Sequence, residues 1–165
     1  MELITAVALF AIFSLVVLVG INPLAQYQKA LDSRRKNDLA QLARAIEMYY
    51  ADHSVYPVQS NLLIVDDDTG QPIPWGNEWQ PYIDLLPKDP SGTKRYTYYT
   101  TTDRQTFRLH ASLDRKTDPA NCDPIADAQG LFDACPNAQG ECSSTGSQYE
   151  GSHCTYGVTS PNTTP

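Results

Sequence analysis

The sequence predicts an α+β fold: a long N-terminal α-helix, apolar in its first half and amphipathic in its second, packed on a small antiparallel β-sheet, with a disulfide-stapled C-terminal loop region. Three observations predict it. Residues 3–21 carry no charge, and residues 24–50 then repeat apolar side chains at helical spacing. Residues 94–113 alternate about a turn, as a hairpin does. Four Cys follow, all beyond residue 119. The expected divisions are 1–23 (apolar transmembrane or filament-core helix), 24–56 (amphipathic continuation), 57–118 (α+β head) and 119–165 (Cys-rich region). The chain has 165 residues and a net charge of −7. That balance excludes nucleic acid as a main partner, because phosphate binding needs a basic surface.

Leu3 to Ile21 reads LITAVALFAIFSLVVLVGI, interrupted only by Thr5, Ser14 and Gly20. As a helix it spans roughly 30 Å, the hydrocarbon core of a bilayer. It is apolar all round, where a globular core helix shows one polar face. Three readings compete. A cleaved secretory signal needs a basic n-region and a small-residue cleavage site. Here the early charge is Glu2, and Asn22-Pro23 is a poor match. A plain single-pass anchor is the second reading. In the third, the segment is the hydrophobic half of a longer helix that packs against copies of itself, and the continuation of the chain favours it. The packing surface is then Leu3, Ile4, Val7, Leu9, Phe10, Ile12, Phe13, Leu15, Val16 and Leu18. Glu2 is costly to bury unless paired with a positive charge. It is either a solvated residue favoured by the helix dipole or the partner of a free α-amino group, its own or a neighbour's.

From Leu24 to Tyr50, Leu24, Tyr27, Leu31, Leu39, Leu42, Ile46 and Tyr49 or Tyr50 fall mostly three, four or seven apart. Pro23 at the junction removes a hydrogen bond and kinks the helix. Arg34-Arg35-Lys36 suits a headgroup contact or, with Asp32 and Asp38 beside it, a solvated face with i,i+4 pairs. The helix stops before Pro57. Both segments together make one rod of up to about 50 residues, roughly 75 Å long.

Val58 to Pro90 carries Pro72, Pro74, Trp75, Trp79, Pro81 and Pro87, and reads as an ordered loop anchored by aromatics. Asp66-Asp67-Asp68-Thr69-Gly70 is a turn signal; as a metal site it lacks EF-hand spacing. Lys94–Thr101 and Thr106–Leu113 form the hairpin, with Tyr96 and Tyr98 on one face and Phe107, Leu109, Ala111 and Leu113 on the facing one. That apolar face should lie on Leu39, Leu42 and Ile46. His110 alternates opposite and should face solvent.

Cys122, Cys135, Cys142 and Cys154 match no zinc spacing. An even count after a membrane segment reads as two disulfides in an oxidising compartment, with three connectivities open. The final 49 residues hold six acids and no Lys or Arg. They either face solvent or complement a basic neighbour. Asp123, Asp127 and Asp133 are weak candidates for a calcium ion; no other cofactor is expected. No phosphate loop, nucleophile elbow or H-E-x-x-H is present, so no catalytic residue is assigned and an enzyme is not expected.

The apolar helix, its amphipathic continuation and the stop at Tyr56-Pro57 together resemble the type IV pilin family, including the pseudopilins of type II secretion. Residues Gln28 to Leu39 look like that family's post-membrane segment, as does Ala45 to Pro57. Leu85-Leu86-Pro87-Lys88-Asp89-Pro90, followed by Tyr96-Thr97-Tyr98-Tyr99, resembles the loop and first strand of G-type major pseudopilins. The resemblance covers residues 1–116 well and the Cys-rich region poorly. It implies a lollipop-shaped subunit of a homo-oligomeric helical filament, held in the inner membrane before assembly and extracellular or in a periplasm-type compartment afterwards. A pilus assembly platform and a prepilin peptidase are its implied partners. Met1, Glu2 and Pro23 are the implied assembly residues. Glu2 corresponds to the near-N-terminal glutamate that neutralises the methylated amine of a neighbour, and Pro23 to the helix-kinking proline.

The expected mechanism is self-association. Surface that leaves lipid is buried again against other copies, which offsets the hydrophobic cost. The contact is heterologous and non-closing, so a fibre results. A pilus for adhesion or motility is the first reading. A secretion pseudopilin, or a membrane-tethered extracellular binding module that does not polymerise, is the alternative.

Overall fold

The computed structural model describes residues 2–120 and 154–161, with the side chains of residues 15–21 excepted. Helix α1 runs Glu2–Ile21 and α2 runs Pro23–His53. Five strands follow: β1 (Gln59–Ser60), β2 (Leu63–Ile64), β3 (Thr97–Thr100), β4 (Phe107–Ala111) and β5 (Tyr156–Thr159).

The expected single rod is divided. Asn22 adopts a left-handed conformation (φ 41°, ψ 75°), and its side chain accepts a hydrogen bond from the Ala25 amide at 3.3 Å. Asn tolerates this backbone region and is a favoured N-cap. Pro23 then occupies the first helical position, where its missing N–H costs nothing. Hence the break falls at Asn22, and Pro23 begins a helix instead of bending one. At the other end Ser54, also left-handed (φ 58°), donates its amide to the Tyr50 carbonyl at 2.7 Å and closes α2 ahead of Pro57.

α2 enters the head at Asp32. Leu39, Leu42, Ala45, Ile46 and Tyr49 form its buried stripe. That stripe shares one core with Tyr96, Tyr98, Phe107, Leu109 and Ala111, as the hairpin pattern required, and with Ile64, Ile73, Trp79, Ile83 and Leu86 from the loop. The sheet order is β3-β4-β5, antiparallel throughout, with Tyr98 opposite Leu109 and Leu109 opposite Val158.

Two features depart from expectation. β5 lies within the stretch read as loop. Its four residues run antiparallel beside β4 and add a third strand to the sheet. His110 is not solvent-facing but 4% exposed. β5 pairs along the edge of β4 with His110 opposite Gly157, and the chain entering it buries Cys154 beside Thr97, whose Oγ1 lies 3.3 Å from His110 Nδ1 and 3.9 Å from Cys154 Sγ. Cys154, just before β5, is buried and disulfide-bonded. Cys122, Cys135, Cys142, Asp123, Asp127 and Asp133 lie outside the described residues, and so do the pairing scheme and the calcium expectation.

Candidate functional site

Two features stand out among the described residues: an exposed apolar surface, and a joint that fixes α2 to the head. α1 supplies the first. Leu3, Ile4, Phe10 and Phe13 are 77, 71, 75 and 67% exposed, and Val7, Leu9 and Ile12 exceed half exposure. Among the described residues none belongs to the core of the head. Thr5 and Ser14 turn their hydroxyls inward, each donating to its own helix at 2.8 Å (the carbonyls of Glu2 and Phe10), so they leave the apolar surface unbroken. Glu2 stands exposed in the first turn of α1, where helix amides favour a carboxylate. Met1 and the side chains of Leu15, Val16 and Leu18 lie outside the description. Among the described residues no helix is long and apolar enough to cross a membrane; the side chains of 15–21 are not among them.

The joint is a buried charge cluster. Arg35 is fully buried. Its Nε and one terminal nitrogen donate to Asp89 at 2.8 and 3.3 Å, and the other donates to Asp32 at 2.9 Å and Asp114 at 2.8 Å. Asp32 also accepts the amides of Asp114 at 2.8 Å and Arg115 at 3.1 Å. Lys94 reaches Asp114 at 2.5 Å. One guanidinium thereby ties α2, the Leu85–Pro90 loop and the chain after β4 together. A buried charge is tolerated when it is paired and hydrogen-bonded, and here four of the five N–H groups meet three carboxylates.

Burial alone would raise the Asp89 and Asp114 carboxyls. Hydrogen bonds from Arg35 and Ser91 to the first, and from Lys94 and Arg35 to the second, reverse that and hold both below the usual carboxylate range. Lys36 at 2.6 Å and the Ala120 amide do the same for Asp118. The run Arg34-Arg35-Lys36 is therefore not one solvated face. Arg34 stays exposed beside Asp38, Lys36 pairs with Asp118, and Arg35 is core. The missed signal was periodic: Arg35 sits four residues after Leu31 and four before Leu39, on the apolar stripe itself.

Tyrosine hydroxyls pin the upper part of α2. Tyr96 donates to Asp38 at 2.7 Å, Tyr98 to the Pro57 carbonyl at 2.8 Å, Tyr56 to Glu47 at 3.1 Å, and Tyr49 to Asp67. Burial, then Asp67, pushes the Tyr49 phenol up to about 12. The Asp66–Gly70 segment forms the expected turn, with the Asp66 side chain accepting the Thr69 amide at 2.7 Å.

A family model described as type II secretion system (T2SS), protein G matches residues 22–121. Among curated proteins, the type II secretion system core protein G of Vibrio cholerae serotype O1 is 33% identical over 112 residues, covering 62% of this chain and 75% of that protein. No solved structure matches.

Proposed function

Because the chain belongs to the type II secretion system protein G family, we propose that it is a structural subunit of a secretion pseudopilus, a helical filament assembled through α1. The exposed apolar surface of α1 carries this reading. Burying each such side chain is worth about 1.5–3 kcal/mol, so α1 requires lipid or other copies. The inner membrane takes the monomer and the filament takes the assembled chain, with an assembly platform and a prepilin peptidase as partners. Glu2 sets the axial register by pairing with a neighbour's terminal amine, since a buried carboxylate selects the offset that neutralises it. The surface pilus for adhesion or motility becomes the second reading. The disulfide at Cys154 favours it, because exposed fibres meet shear and proteases.

Glu2→Ala and Glu2→Gln test the pairing. Each should abolish fibres in sheared preparations while the head keeps its circular dichroism spectrum. Wild-type fibre yield from either variant contradicts the role given to Glu2.

A further inference from the structure

The sheet buries a polar chain of side chains that neither α1 nor the joint uses. Side chains alternate along a strand. Tyr98 and Leu109 face each other in the core shared with α2, so Thr97 and His110 face each other on the side away from α2. There Thr97, His110 and Cys154 are 1, 4 and 0% exposed. Thr97 Oγ1 links the other two, at 3.3 Å from His110 Nδ1 and 3.9 Å from Cys154 Sγ. His110 Nε2 is buried with no hydrogen-bond partner among the described residues. The groups that face the ring from the neighbouring elements carry no charge: Thr97 on β3, Gly157 on β5 and the disulfide-bonded Cys154 ahead of β5. Arg108, on β4 itself and opposite Tyr99, is the cation that acts on it. The closed head therefore holds a neutral imidazole, with its pKa lowered to about 4 by burial and then by Arg108.

The end of the chain holds this face shut. β5 is a terminal strand of four residues, each only half-buried. Its ladder with β4 is extended at both ends, by the Thr155 amide on the Ala111 carbonyl at 2.9 Å and the Ser160 amide on the Phe107 carbonyl at 3.1 Å. So short a strand removes little apolar surface from water. Against that small gain stands the entropy of closing the long loop from Ala111 back to Tyr156. Cys154 offsets part of this cost. Whichever of Cys122, Cys135 and Cys142 it joins lies between Ala111 and Cys154 in the chain, so the bond shortens the loop that docking must close.

We propose that the Cys154 disulfide is a redox latch: it keeps β5 docked and His110 out of water, and its reduction releases β5 and gives His110 to solvent. The reductant is a dithiol. It supplies two electrons and two protons, the S–S bond breaks to two thiols, and the dithiol leaves as its own disulfide. The third strand is then a property of the oxidised chain, while the reduced head keeps the β3–β4 hairpin on α2. The latch belongs to the head and does not depend on filament assembly.

The test follows His110 by nuclear magnetic resonance in the full chain in detergent micelles, before and after dithiothreitol, with His110→Gln assigning the ring signal and alkylation counting the thiols. In the oxidised chain the ring signal should not move between roughly pH 8 and pH 5.5, and after reduction it should titrate with a midpoint near pH 6.5. The Thr155 and Ser160 amides should exchange at least about tenfold faster after reduction, while the amides of Leu39 to Ile46 keep their protection. Cys154→Ala, in which the latch cannot form, should show the same opening without a reductant. A ring that titrates near pH 6.5 in the oxidised chain overturns the inference. So does a reduced chain, or Cys154→Ala, in which His110 and the two amides behave as in the oxidised wild type. Loss of protection throughout α2 on reduction overturns it too, because the latch acts on β5 alone.

Discussion

Arg35 shows what one residue settles in this fold. Removing a single partner of a buried ion pair leaves the others uncompensated, at a cost of about 3–5 kcal/mol. Arg35→Ala should lower the denaturation free energy of the head by that amount. Arg35→Lys should recover little, because an ammonium cannot serve Asp32, Asp89 and Asp114 through one planar fork. A loss under about 1 kcal/mol for Arg35→Ala, the range of an exposed pair, would refute the joint. His110 makes a separate prediction in pH. Burial first, and Arg108 second, lower its pKa to about 4. The unfolded chain therefore binds a proton that the native head refuses. Stability is fully present above about pH 6.5 and is lost as the pH falls from there toward 4, by about 3 kcal/mol. His110→Gln should flatten the denaturation free energy across that window. The depressed carboxylates Asp89, Asp114 and Asp118 act in a lower window. Their contribution is present above the ordinary carboxylate range and disappears below about pH 4, so the acid limb beneath that pH should persist in His110→Gln.

Among the elements, α2 was the most legible and the tail the least. Leu39, Leu42 and Ile46 repeat at helical spacing, and Phe107, Leu109 and Ala111 at strand spacing, so both core faces could be read before they were seen to share one core. Leu42→Ala should cost about 2–5 kcal/mol, as a fully buried leucine with neighbours on every side does; thermal melts of the variant would show it. Arg35 stayed hidden because a charge reads as surface, although its place on the stripe marked it as core. The Asn22 break stayed hidden because Pro23 alone suggests a kink; the capping geometry of the preceding residue moves the discontinuity back by one. β5 offers four half-buried residues with a Gly among them, too short and mixed a run to stand out from its surroundings. Its place beside β4 follows from long-range pairing, which no local pattern encodes. His110 was misplaced for the same reason: the chain returning to the sheet ahead of β5 buries Cys154 next to Thr97, on the side that a lone hairpin leaves to water.

At the scale of the whole molecule, two unlike helices follow one another across the break at Asn22. α2 is stabilised by its own head. Among the described residues the apolar side chains of α1 stay exposed, and on the proposed reading lipid or other copies cover them. The amphipathic continuation and the Leu85–Pro90 loop that meets it at Asp89 were both visible in the sequence, as was the apolar run. What no single chain displays is the order in which copies stack.

The central claim is that residues 3–21 serve as a packed polymer spine and not as a tether. An equally apolar scramble of 3–21, with Glu2 kept in place, separates the two in cells that assemble the wild-type chain. Wild type should give fibres containing the chain and the scramble none, although the scrambled chain still enters the membrane. Fibres at wild-type yield from the scramble, or wild-type protein recovered only as detergent-soluble monomers, would contradict it.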